Sequence, residues 1–89
     1  NKVFNPKIFP NPANNEFFVS YTLPEAADIK VDIYTMDGVK CSSTLFKNQF
    51  GQNEQKINVK YKNLQTGIYI VKFSSNIFNT SKVLNLMIK

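Results

Sequence analysis

From Glu16 onward apolar residues recur at every second position in several segments and nowhere at helical spacing, which confines the chain to β-structure. Phe17, Val19, Tyr21 and Leu23 share one face, while Phe18, Ser20 and Thr22 share the other. Ile29, Val31 and Ile33 alternate with Lys30, Asp32 and Tyr34, and Leu84, Leu86 and Ile88 alternate near the end of the chain. Such segments bury one face and hydrate the other. Proline and glycine punctuate them. Asn5-Pro6, Phe9-Pro10 and Asn11-Pro12 remove backbone donors from the opening, leaving room for a short edge strand at Lys7 to Phe9. Pro24 to Asp28 is expected to be a turn that ends the first long strand. Asp37-Gly38 suits a type I′ hairpin. A less regular strand is expected from about Val39 to Phe46. A loop containing Gly51 then spans Asn48 to Asn53, before a strand around Ile57 and Val59. Leu64 tucks inward from the connection between Tyr61 and Gly67. Ile68 to Ser74 places Tyr69, Val71 and Phe73 on the core face, and the last strand covers Lys82 to Lys89. About seven short strands at this spacing predict an all-β fold, a small immunoglobulin-like antiparallel β-sandwich. A five-stranded OB barrel is the competing closure.

The chain has 89 residues, enough for one small domain over 1–89. The chain begins at Asn1 without Met and reads as a fragment of something longer, with residues 1–6 as the end of a linker and room for a targeting segment upstream. The formal charge is +5, and all 11 basic residues are lysine. Bidentate reading of phosphates and bases favours guanidinium, and these lysines are scattered rather than clustered, so nucleic acid is excluded as a partner. A solvated surface with guarded strand edges accounts for them. No apolar run reaches the length of a membrane span.

Chemistry is limited by absence. There is no histidine, so Ser-His-Asp and Cys-His arrangements are excluded. The single Cys41 gives neither an internal disulfide nor a zinc site. Asp28, Asp32 and Asp37 lack calcium-loop spacing, and Glu16, Glu25 and Glu54 lie far apart in sequence. Gly38, Gly51 and Gly67 form no phosphate-cradling loop. The expectation is a non-enzyme with no cofactor and no metal. Phe18, Tyr34 and Phe46 fall off the core parity and are candidates for an outer-face patch.

Four segments, in this order, carry a resemblance. They are Ile8-Phe9-Pro10-Asn11-Pro12-Ala13, Val31-Asp32-Ile33-Tyr34-Thr35-Met36-Asp37-Gly38, Leu64-Gln65-Thr66-Gly67-Ile68-Tyr69-Ile70-Val71-Lys72, and the final Lys82 to Lys89. Together they resemble the C-terminal sorting domain of proteins exported by the type IX secretion system of Bacteroidetes. By that resemblance Pro10, Asn11, Pro12, Asp37, Gly38, Leu64, Gly67 and Tyr69 are family-motif positions, each with a structural use in turns or core. Leu86, Met87, Ile88 and Lys89 are the residues expected to be read by the translocon. Met87 is out of phase with Leu86 and Ile88, so it is expected to face outward beside Val83. Cys41 and the Ile77-Phe78 pair are not family features.

The resemblance implies a route and partners. A covalently linked parent protein would cross the outer membrane through the type IX translocon. A surface sortase often removes the domain, and the parent ends at the cell surface or is secreted. If the last strand lies at a sheet edge, its backbone also sets up pairing with a second copy. The alternative reading is a generic immunoglobulin-like accessory or adhesion module that binds carbohydrate or protein.

Overall fold

The computed structural model describes residues 4–59, 64–78 and 81–89. Five antiparallel strands make up the fold: β1 (Lys7–Phe9), β2 (Glu16–Thr35), β3 (Lys40–Asn58), β4 (Gly67–Ser75) and β5 (Lys82–Ile88). Their order is β1-β2-β4-β5, with β3 paired to the other edge of β2. β1 occupies the first half of β2, opposite Phe18 to Ser20, and β4 occupies the second half, from Ile29 to Thr35. β2 and β3 therefore run through two layers. One layer holds β1, the start of β2 and the end of β3. The other holds the end of β2, the start of β3, β4 and β5. Counted by layer, the two long strands each contribute twice, which reconciles five strands with a sandwich of about seven segments.

Two expected breaks are corrected by this arrangement. Pro24 does not end a strand, because β2 continues through it. The register jumps from Leu23↔Gly51 to Ala27↔Gln49, so Pro24 falls at an irregularity of the ladder. A missing N–H costs nothing there. The expected loop from Asn48 to Asn53 is likewise strand, part of β3. Positive φ at Asn48 (54°) and Gly51 (68°) lets β3 bend alongside β2 where both change layer.

The hairpin between β2 and β3 differs from a type I′ turn. Gly38 has φ of 90°, but Asp37 is absent from the positive-φ residues, and type I′ needs both. The Gly38 N–H donates to the Thr35 carbonyl at 3.0 Å, and Thr35 N–H donates to Val39 O at 2.9 Å. This is a turn over Met36-Asp37 followed by a left-handed glycine. An added Cβ at Gly38 meets nothing within 4 Å, so only backbone strain opposes it. Gly38→Ala is expected to cost about 1 kcal/mol in urea denaturation. An unchanged midpoint would show that the turn tolerates other geometry.

The core follows the period-two pattern. Phe17, Val19, Ile29, Val71, Phe73 and Leu86 are fully buried, with Tyr21, Leu23, Val31, Ile33 and Ile88 nearly so. Leu64 and Tyr69 are buried as expected. Ile77, Phe78 and Phe46 pack against this core, so Phe46, opposite Ile29, is no outer-face residue. Phe4 is also buried, with ring centroids 5.9 Å from Tyr21, 6.0 Å from Phe73 and 5.1 Å from Phe78.

Tyr21 donates its hydroxyl hydrogen to Gln49 Oε1 at 2.9 Å, and Gln55 Nε2 donates to the same oxygen at 2.8 Å. Burial pushes the Tyr21 phenol from 10.0 up to about 12, with the Gln55 side chain acting the other way. The fold holds the neutral phenol. Its contribution is complete below pH 10.0 and is lost as pH rises toward about 12. Tyr21→Phe is expected to flatten alkaline destabilisation over that window, by on the order of 2 kcal/mol at most. Equal pH slopes in the two proteins would remove Tyr21 as the cause.

Candidate functional site at the C-terminal strand

β5 lies at the end of the sheet order and pairs with β4 from Phe73↔Lys82 to Gly67↔Ile88. Period-two alternation divides its side chains. Leu86 and Ile88 enter the core, while Val83, Asn85, Met87 and Lys89 are exposed. Met87 lies opposite Ile68, which is also exposed, so the two form an apolar cross-strand pair on the outer face. Of the four residues expected to be read by a translocon, two are internal and two are presented.

The backbone of β5 alternates as well. In an antiparallel ladder, residues take turns in directing N–H and C=O toward one neighbour or the other. Those of Asn85, Met87 and Lys89 point away from β4, and a segment from the start of the chain meets them. Asn11 Nδ2 donates to Asn85 O at 3.0 Å. Met87 N–H donates to Asn11 Oδ1 at 2.9 Å. Ala13 N–H donates to Met87 O at 2.7 Å, and Lys89 N–H donates to Ala13 O at 2.8 Å. The Asn11 side-chain amide thus acts as one peptide unit, and Ala13 supplies the next as a parallel bridge to Ile88. Pro10 and Pro12 flank Asn11, and the Phe9–Pro10 and Asn11–Pro12 peptides are cis. The C-terminal end of β5 is therefore a covered edge. The sequence marked Asn11 and the final strand separately. Their contact spans 74 to 76 residues, and no local pattern signals it. The one available hint was an asparagine between two prolines, a residue that readily bonds backbone groups.

The other positions that the resemblance marks fall into two places. Asp37 and Gly38 form the β2–β3 turn. Tyr69 donates its hydroxyl hydrogen to Gln65 O at 2.7 Å, just before β4. Gly67 has φ of 154°, and a Cβ added there would stand 3.9 Å from the Tyr69 ring. Asp37 and Gly38 thus belong to the β2–β3 turn, whereas Gly67 and Tyr69 pair with Ile88 and Leu86 on the side of β5 opposite Asn11, and Leu64 lines a pocket with Ile88 and Lys89.

Little else gathers chemistry. Asp32 is buried on the outer face of the second layer, with Oδ2 3.8 Å from Lys30 Nζ and 4.0 Å from Lys40 Nζ. Phe18 stacks on Phe9 in the first layer at 5.7 Å, while Tyr34 lies in the second beneath Lys40. Phe18 and Tyr34 therefore form no joint patch. Cys41 is exposed, on β3. Among the described residues no group of three acidic, cysteine or histidine side chains is close enough to hold a metal.

A two-layer fold with a covered C-terminal strand defines a small immunoglobulin-like module. Residues 7–89 match the family of secretion system C-terminal sorting domains. The chain belongs to that family, which is not a family of enzymes. Among solved structures, it resembles part of PorZ, a surface component of the type IX secretion system of Porphyromonas gingivalis. That likeness has 19% identity and a TM-score of 0.64, over 96% of this chain and 11% of PorZ. It also resembles the C-terminal domain of Wzt, with 16% identity and a TM-score of 0.59, over 99% of this chain and 72% of that one. At these identities the likeness is one of fold. No curated protein matches the sequence.

Proposed function

We propose that this domain directs a covalently attached N-terminal protein through the type IX translocon across the outer membrane, to the cell surface or beyond. The family match over nearly the whole chain carries this reading. Exposed Met87 and Lys89 are the side chains a receptor reads, and buried Leu86 and Ile88 hold the strand that presents them. Removal by a surface sortase would follow export. The fold acts here as an address, a binding role that needs no reacting group.

The test is export of a periplasm-directed reporter fused to residues 1–89 in a host with a type IX system. The fused reporter is expected at the surface or in the medium, and the unfused one in the periplasm. The double variant Met87→Glu, Lys89→Ser is expected to stay in the periplasm while keeping a cooperative thermal melt. Periplasmic retention of the wild-type fusion would overturn the sorting role.

A further inference from the structure

Only part of the β5 outer edge is covered. Val83 and Asn85 share the alternation of Met87, so the Val83 N–H and C=O and the Asn85 N–H also point away from β4. None of these three groups has a partner among the described residues. Across from them stands β1. Asn15, in phase with Phe17 and Val19, bonds toward β3, and Thr22 bonds toward the chain preceding β1. Ser20 and Phe18 therefore face β1 and engage Lys7 and Phe9, which leaves the Ile8 backbone turned outward. Between β1 and β5 lies a cleft of about 370 Å³, lined by Pro6, Lys7, Ile8, Phe9, Leu84 and Asn85, with Asn11 at its end. Ile8 and Leu84 pack against the core, so the floor of the cleft is apolar.

Resting on the sorting reading, we propose that the receptor reads β5 by adding an extended strand of its own. This strand starts at Val83–Asn85 and then displaces Asn11–Ala13 from Met87–Lys89. Three features select such an occupant. The free groups are backbone donors and acceptors in strand alternation, which another strand complements. The cleft runs directly into an edge that already accepts a strand, because Asn11–Ala13 pairs there. Displacement then exchanges hydrogen bonds of the same kind, one for one. The incoming strand carries an apolar side chain to sit between Ile8 and Leu84. Lys7 at the rim and the net charge of +5 favour a segment free of basic residues.

Proline at position 85 tests this directly. On the backbone, Asn85→Pro deletes only the N–H that points into the cleft and keeps the carbonyl that Asn11 holds; the side chain it removes is exposed. Proline is tolerated at an edge where its nitrogen faces outward. In the reporter fusion, Asn85→Pro is expected to keep its melting temperature and lose about tenfold in export rate or more. Val83→Pro serves as the second variant if the first misfolds. Asn11→Ala is expected to raise hydrogen exchange at Met87 and Lys89 by about tenfold, leave β4 amides protected, and speed export. Wild-type export by folded Asn85→Pro sinks strand addition and leaves the sorting role standing. Unchanged exchange in Asn11→Ala removes the covering segment from the proposal. A dimer of the wild-type chain that Asn85→Pro abolishes would assign the edge to a second copy and overturn it. Retention of the wild-type fusion is the separate failure, and it takes down the sorting reading itself.

Discussion

Truncation after Asn85 is expected to unfold the domain, not merely to silence a signal. Leu86 and Ile88 are 0% and 2% exposed, and each pairs across to β4. Removing a fully buried aliphatic side chain costs about 2–5 kcal/mol. The truncation removes two of these, together with the bonds that hold Ala13. At 0.05–0.15 kcal/mol per residue, the whole domain is worth roughly 5–13 kcal/mol. The loss is of the same size as the total. Circular dichroism on heating should show a broad, early transition, or none, for the shortened protein. A cooperative melt within a few degrees of full length would mean that β5 contributes little to the core. Failed export of such a truncation therefore has two causes at once. Met87 and Lys89 are exposed, so their substitution separates recognition from folding.

Phe4→Ala carries the second large effect. Phe4 lies before the family match, which begins at residue 7, and inside the stretch that reads as linker from composition. Yet it is 6% exposed and closes an aromatic group with Tyr21, Phe73 and Phe78. Its carbonyl also accepts the Thr22 N–H at 3.0 Å. Truncating a buried phenylalanine costs about 3–5 kcal/mol. The melting temperature should fall by more than about 10 °C. A fall of only a degree or two would place Phe4 outside the cooperative unit, as a linker residue would be.

How much of this was legible follows from what alternation encodes. Parity assigns Phe17, Val19, Tyr21, Leu23, Ile29, Val31, Ile33, Leu84, Leu86 and Ile88 to the core, and all but half-buried Leu84 are buried. Period two reports which face is dry, and one dry face per strand defines a sandwich. Continuity was illegible. Pro24 and Gly51 are the signals of a break, but at a shared bend they serve a layer change, and both strands run on. The Asp-Gly signal found the right turn and the wrong type, because one left-handed residue satisfies a three-residue loop. For the site, parity placed Met87 outward and Leu86 inward. The grip of Asn11 on β5 depends on two ends of the chain meeting, which no local pattern carries.

The pairing of Asn11–Ala13 with β5 has a mechanical consequence. The two segments run parallel, and each is joined to an opposite end of the chain. A pull between an N-terminal cargo and the last residue draws them past each other in opposite directions. All their hydrogen bonds are then strained together in shear, instead of opening singly as in a zipper. A domain dragged by its tail with a cargo attached would hold its shape under tension that peels an antiparallel hairpin apart.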